Sequence, residues 1–315
     1  MSDVSAWPAL VLTAGLATRL RPLSDVRAKA ALPLAGKPLI SRILEWLRIA
    51  GVRRVVLNLH HRPETITRLV GDGAQWDVEV RYSWEPRILG SAGGPRRALA
   101  LLDANRFFIV NGDTLTDCDL GGLADRHLTA GASVTMAVVR GDVGRYGGVL
   151  VRPDGWVAGF SSAAAGASAP GSAMRSLHFI GVQAVNADVF DGVPDDTPSE
   201  TVRTLYPALI TANTRAIAAF ESAAEFLDVG TPADYYQTVA TIAAREQVPL
   251  DHGEAVVIEP GAQVEHTILW DRVRIGRDAR LRNCIVTDDV CVPGSVSYDN
   301  SVITASDSSV AVQPL

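Results

Sequence analysis

Cations crowd behind the first apolar run of the chain. Thr13-Ala14-Gly15 leads into Leu16-Ala17-Thr18-Arg19-Leu20-Arg21-Pro22, and positions 19 to 37 hold Arg19, Arg21, Arg27, Lys29 and Lys37 against the single acid Asp25. Small residues let backbone N–H groups approach a phosphate closely, and the cations supply charge, so the run suits a polyphosphate. Solvated surface charge is the competing reading of the run taken alone. Its position directly after a strand weakens that reading.

Two carboxylates offer a metal to such a site. Asn111-Gly112-Asp113 ends the apolar run Phe107 to Val110, and Phe226-Leu227-Asp228-Val229-Gly230-Thr231 repeats the arrangement of apolar lead-in, Asp, then Gly-Thr opening a helix. Two aspartates can share one Mg²⁺, which completes its octahedron with water and substrate phosphates. Taken singly, Asp113 reads equally as a turn residue and Asp228 as a residue near a helix N-cap. Two other phosphate motifs are absent: Ala17 and Leu20 stand where GxGxxG needs glycine, and around Gly36-Lys37 a P-loop would need Gly at Ala31 and Ser or Thr at Pro38.

The elements that must position these residues follow from the pattern. Apolar runs at Ala9 to Thr13, Arg54 to Asn58, Val78 to Ser83, Phe107 to Asn111 and Ser133 to Val139 alternate with amphipathic stretches around Leu39 to Ala50, Pro63 to Val70, Pro95 to Leu102 and Leu120 to Ala130. That alternation predicts an α/β half with a mainly parallel sheet, whose ligands collect beyond the carboxyl ends of the strands. From Tyr146 to about Leu227 the pattern is irregular, with a glycine hairpin at Gly147-Gly148, a loop over Ala158 to Met174 and an apolar run Phe179 to Val185. A helix from Pro232 to about Arg245, capped by Thr231, closes the half. Beyond Pro249, aliphatic residues recur every five or six positions at Ile258, Val264, Leu269, Ile275, Leu281, Val286 and Val292, as in the hexapeptide repeats of a parallel β-helix, with room for two to three coils of about 18 residues. A small antiparallel tail sheet is the alternative.

Composition bounds the partners. The 315 residues suggest about two domains, and 47% hydrophobic with 20% charged residues is an ordinary globular balance. A formal charge of −6 has the wrong sign for broad capture of nucleic acid. The start MSDVSAWPALVLTAG reads as a first strand rather than a leader, no stretch suits a membrane span, and Cys118, Cys284 and Cys291 lack CxxC spacing, which together point to a cytoplasmic protein with reduced thiols.

Six segments in order resemble the sugar-1-phosphate nucleotidylyltransferases. Gly15 to Pro22 resembles that family's GxGTRLRP signature, Lys29 with Leu32 to Pro38 its PKxLLPVxGKP stretch, and Glu85 with Leu89-Gly90-Ser91-Ala92-Gly93-Gly94 its ExxxLGTAGG segment. Asn111-Gly112-Asp113, Tyr146-Gly147-Gly148-Val149 and Asp228-Val229-Gly230-Thr231-Pro232 resemble three further landmarks. The resemblance implies a Rossmann-like nucleotide-diphospho-sugar transferase fold over residues 1–248 and a short left-handed parallel β-helix over 249–315. It also implies a reaction in which a sugar phosphate oxygen attacks the α-phosphorus of a nucleoside triphosphate and pyrophosphate departs.

By the same resemblance, Arg19 faces the leaving pyrophosphate, Lys29 the transferring phosphate, and Asp113 and Asp228 hold Mg²⁺. Thr13, Ala14, Gly15, Thr18, Arg19, Lys29, Glu85, Gly90, Ser91 and Gly112 bind the nucleotide, and Gly147, Gly148 and Gly181 the sugar phosphate. Glu85 can accept from both the N1–H and the exocyclic amine of guanine, which favours GTP and a mannose or related 1-phosphate, with uridylyl or thymidylyl transfer as the alternative. The sequence departs from the family at Ser161-Ser162-Ala163, where a Glu-Lys pair is usual, at Phe179, where the family has the Asn of NxG, and at Ala28, where it has Pro. Arg175 reads as a solvated loop arginine rather than a replacement cation.

The missing pair also admits a catalytically inactive subunit that binds nucleotide sugars. An acyltransferase using His266 is a third reading, disfavoured by so few coils. In His60-His61 one ring is expected to be packed and the other exposed. The exposed face of the coils is expected to serve as a homo-oligomer surface.

Overall fold

Runs of buried β-branched and aromatic residues form the parallel centre of a nine-stranded sheet. In the computed structural model, which describes residues 4–141, 143, 147–162, 174–250, 253–306 and 309–315, the strands are β1 (Ala9–Leu12), β2 (Arg54–Leu59), β3 (Glu79–Trp84), β4 (Arg106–Asn111), β5 (Val134–Val139), β6 (Gly148–Val151), β7 (Val157–Ser161), β8 (Arg175–Asn186) and β9 (Ile217–Glu221). Their order is β7-β6-β8-β4-β1-β2-β3, with β5 paired to β8 and β9. Strands β4, β1, β2 and β3 run parallel, whereas β8 runs antiparallel to β4, β5 and β6. The Gly90–Leu102 helix covers β1, β2 and β3. Leu10, Val56, Ala98, Phe107, Ile109, Val185 and Phe190 are among the residues that close the core.

The sheet belongs to the first of two compact units, Met1–Gly15, Ile43–His61 and Val70–Phe226. The second comprises Leu16–Arg42, Arg62–Leu69 and Leu227–Leu315. In it, the Pro232–Glu246 helix starts where expected, with Thr231 Oγ1 accepting from the Asp234 N–H at 3.2 Å. The tail forms three parallel ladders whose partners, Ile258–Ile275–Val292 in one and Leu269–Val286–Ile303 in another, fall 17 residues apart. Inward Ile275, Leu281, Val286 and Val292 stack into its core, and antiparallel Val310–Pro314 covers the edge of Ser301–Ala305.

The structure corrects three local expectations. The stretch after Gly147 is regular: β6, β7 and β8 are antiparallel neighbours, so Ala158 to Ser161 lies in a strand and not in a loop. Its Gly, Ala and Ser content hides the period-2 signal. Tyr146 and positions 163–173 of the expected loop lie outside the described residues. The helix expected from Pro95 begins at Gly90, its first turns built of poor helix formers for a packing reason given below. Finally, each coil takes 17 rather than about 18 residues.

Candidate active site

Register places the chemistry of the first unit on one rim. Leu12 pairs with both Asn58 and Asn111, and Asn58 with Ser83, so four parallel strands end level and release Thr13, His60, Glu85 and Gly112 just beyond. Buried Asn58 organises this edge. Its Oδ1 accepts from the N–H groups of Thr13 (2.6 Å) and Ala14 (3.3 Å), its carbonyl accepts from the Thr13 hydroxyl, and its Nδ2 donates to Glu85 Oε1 at 2.8 Å. Gly15, which follows, is exposed, and a Cβ there would meet nothing within 4 Å. The sequence reading missed Asn58. Its one signal was a polar residue closing an apolar strand.

Glu85 follows the end of β3. It is 1% exposed, and besides the Asn58 amide it accepts from the Leu89 N–H through Oε2 at 2.8 Å. Each oxygen thus takes one bond that fixes the turn into the Gly90–Leu102 helix. A Cβ at Gly94 would lie 2.8 Å from Glu85 Oε1 and 3.0 Å from Asn58 Nδ2, which is why the helix opens on glycines. Ser91 Oγ donates to Glu200 Oε2 (2.8 Å) and accepts from the Thr201 N–H (2.9 Å), while Ser199 O takes the N–H groups of Ala92 and Gly93. Gly90 and Ser91 therefore start a helix whose third and fourth N–H groups, those of Ala92 and Gly93, are already occupied.

Asp113 follows the end of β4. The Gly112 N–H donates to Leu12 O at 3.0 Å, and a Cβ on Gly112 would stand 2.6 Å from that same oxygen. Gly181 on β8 faces Asn111 across the sheet, so close that a Cβ would lie 2.8 Å from its side-chain nitrogen. Gly148 opens β6 beside the hydroxyls of Ser161 and Ser176, and Gly147 directly precedes it. The segments assigned to nucleotide and sugar phosphate thus meet at Asn111–Asp113 and Gly181, while Gly148 lies on the neighbouring β6 and Gly147 just before it.

In the second unit, left-handed Ala17 turns the chain into the Thr18–Leu20 turn, and Ser24 Oγ donates to Ala17 O at 3.0 Å. Thr18 and Arg19 are exposed. Lys29 starts the next turn, and its Nζ lies 3.8 Å from Asp228 Oδ1 with both side chains largely buried. Asp228 is held in turn: Thr238 Oγ1 donates to its carbonyl at 3.3 Å, and a Cβ on Gly230 would be 3.0 Å from its Oδ2 and from Asp234 Oδ2. Lys29 and Lys37 are the only lysines of the chain, and both lie in the cationic run.

A family model for nucleotidyl transferases matches residues 8–245, and one for the GlmU-like C-terminal hexapeptide matches residues 252–302. The chain belongs to the nucleotidyl transferase family. It is 29% identical over 295 residues to a mannose-1-phosphate guanylyltransferase of Mycobacterium tuberculosis, covering 90% of this chain and 80% of that one. It is 27% identical over 290 residues to a UTP–glucose-1-phosphate uridylyltransferase of Synechocystis, covering 85% and 71%. HddC from Yersinia pseudotuberculosis, solved in complex with GMP-PN, shares the fold with a TM-score of 0.63 at 24% identity, over 75% of this chain and 99% of that one.

As a nucleotidyl transferase the chain is an enzyme, and its other polar candidates resolve into structural roles. His60 and His61 are both half-buried, with His60 Nδ1 2.8 Å from Glu85 O and its ring stacked near Trp84. Arg175 opens β8 and pairs with Glu221, whose carboxyl is held below its usual range mainly by that hydrogen bond, so this arginine is not a loop cation. For a metal, no three His, Cys, Asp or Glu side chains cluster among the described residues. Asp113 and Asp228 each offer the hard oxygen that Mg²⁺ takes, an ion that needs few protein ligands where phosphates and water supply the rest. No helix is long and apolar enough to cross a membrane among the described residues.

Proposed function

We propose that this nucleotidyl transferase joins a nucleoside monophosphate from a nucleoside triphosphate to a sugar 1-phosphate, giving a nucleoside diphosphate sugar and pyrophosphate. The observation that carries the reading is Lys29 held against Asp228, downstream of the Gly15 to Pro22 turn. A sugar phosphate oxygen forms the new bond to the α-phosphorus as the bond to the β-phosphate oxygen breaks, and the electron pair leaves on pyrophosphate. Such transfer needs alignment and positive charge more than covalent help.

Thr13, Ala14, Gly15 and Gly112 bring backbone close to the nucleotide, Arg19 and Thr18 meet the departing phosphates, and Lys29 holds the transferring one. Gly147, Gly148 and Gly181 leave room for the sugar phosphate. Asp113 and Asp228 would hold Mg²⁺, whose charge offsets that of the phosphates when bound. Gly90, Ser91 and Glu85 act through the loop they fix. GTP with mannose 1-phosphate is the first pair to test, because one relative that matches 90% of this chain is a mannose-1-phosphate guanylyltransferase. The uridylyl relative supports the alternative.

Pyrophosphate release, measured for five nucleoside triphosphates crossed with mannose, glucose, N-acetylhexosamine and heptose 1-phosphates in magnesium buffer, tests the reading. Release from one GTP pair well above the rest is expected. Silence from every pair would favour a nucleotide-sugar-binding subunit, the reading that Ser161-Ser162 in place of a Glu-Lys pair keeps open.

A further inference from the structure

The turn that carries Lys29 is fastened on both flanks to the C-terminal coils, within the second unit. On its amino side Arg27 donates from Nε and Nη2 to Asp288 (2.7 and 2.6 Å) and from Nη2 to Asp271 (2.5 Å). Its guanidinium also lies over the Trp270 ring, 5.2 Å from the centroid. On the carboxyl side the Pro33 carbonyl accepts from the Tyr235 hydroxyl at 2.7 Å, and that hydroxyl accepts from Trp270 Nε1 at 3.0 Å. Tyr235 sits on the helix that Thr231 caps, directly after Asp228. Both members of the Lys29–Asp228 pair therefore hang on elements that Trp270, Asp271 and Asp288 hold.

The receiving corner is built before the arginine arrives. Asp271 and Asp288 occupy the same corner of successive coils, where the Asp271 N–H donates to Asp288 Oδ1 (3.0 Å) and the Glu254 N–H to Asp271 Oδ1 (2.8 Å). Trp270 and Tyr235 are fully buried. Exposed ion pairs contribute little, but here the arginine side chain is 13% exposed and meets two fixed carboxylates in a fork geometry. Burial pulls its pKa down, and the two carboxylates outweigh burial and leave it raised.

We propose that Arg27, clasped by Asp271 and Asp288, is a positioning residue through which the C-terminal coils set Lys29 against Asp228. The proposal rests on the reading that Lys29 acts on the transferring phosphate. Turnover then depends on the tail through the Lys29 turn, apart from any role of the tail in assembly.

The two lysines make a direct test possible. Reductive ¹³C-methylation of the full chain labels Lys29 and Lys37, assigned with Lys37→Arg, and NMR reads each environment without substrate. Arg27→Gln and Asp288→Asn are expected to shift the Lys29 resonance and leave Lys37 in place, to lower kcat about tenfold, and to change either KM by less than about threefold. Arg27→Lys should recover part of both effects. Circular dichroism checks folding, and if Arg27→Gln fails to fold, Asp288→Asn carries the same comparison. A Lys29 resonance unmoved in folded variants overturns the proposal, whatever kcat does. A shifted resonance in a protein that turns over no substrate pair upholds the clasp and removes the function assigned to Lys29.

Discussion

Lys29 Nζ stands 3.8 Å from Asp228 Oδ1, with the two side chains 13% and 12% exposed. At that burial the pair is shielded from bulk water, and its members act as a unit. Lys29→Met and Asp228→Asn are each expected to cut kcat/KM by about 100-fold or more, as loss of one charged contact to a transferring phosphate does. The double variant should be scarcely worse than either single one, because residues acting together are not additive. Pyrophosphate release checks all three. Multiplying effects would show that the two residues work separately.

Glu85→Gln separates a positioning role from base reading. The carboxylate accepts from the Leu89 N–H and from Asn58 Nδ2, so an amide there must turn its NH₂ toward one of two donors. Loss of a buried acceptor of this kind costs about 1–3 kcal/mol. Chemical denaturation should show a loss of that size, while the ratio of GTP to UTP turnover stays as in the parent. A changed ratio at unchanged stability would return the base to Glu85.

Two signature glycines should part company. A Cβ on Gly112 would sit 2.6 Å from a main-chain oxygen, Leu12 O, which cannot swing aside, so Gly112→Ala should cost about 1–3 kcal/mol. At Gly15 a Cβ would meet nothing within 4 Å, and Gly15→Ala should leave the thermal midpoint unchanged. If that glycine serves close approach of the nucleotide, its alanine variant raises the KM for the triphosphate alone. A lowered midpoint at Gly15 would assign the glycine to the fold instead.

Sequence pattern revealed much of this arrangement, and its failures have physical causes. The Pro63–Val70 and Leu120–Ala130 helices carry strong periodicity and the parallel strands are compact apolar runs, and their ends were legible to within a residue or two. The start of the Gly90–Leu102 helix was hidden because its glycines answer to residues distant in sequence, Gly90 to Ser199 and Glu200, Gly93 to Thr197 and Gly94 to Asn58. Asn58 itself gave little sign, since one amide serving several partners has no local pattern. Arg27 counted correctly as one cation of a run, but its partners Asp271 and Asp288 lie over 240 positions away.

Acid should expose a weakness at His127. Its Nε2 donates to Asn186 Oδ1 and its Nδ1 lies against Thr135 Oγ1, both at 3.0 Å, and the residue is 1% exposed. Burial, and to a smaller degree the charge of Arg106, hold the imidazole below its ordinary 6.5 despite the Asn186 bond. The unfolded chain therefore binds the proton more readily. Stability from this residue is full above about pH 6.5 and falls as pH drops toward the depressed folded value. Thermal midpoints from pH 7.5 to 5 should decline more steeply in the parent than in His127→Gln. Parallel slopes would discount the histidine.

Truncation tests whether the tail is an appendage or part of the Lys29 turn. Residues Leu16–Arg42 share a compact unit with the coils, and Trp270, Asp271 and Asp288 supply the partners of Arg27 and Tyr235. A chain ending near Pro249 loses all of these, so the segment around Lys29 should open locally while the sheet of the first unit, with its own core, persists. Brief trypsin treatment should then cut first after Arg27 and Lys29, sites that resist in the full chain, and mass spectrometry locates the cuts. Light scattering on the same pair reads whether the coils also join copies of the chain, in which case the truncated form falls to a monomer. Equal resistance at Arg27 and Lys29 in both forms would make the coils an independent module, because a turn that depends on lost partners cannot stay closed without them.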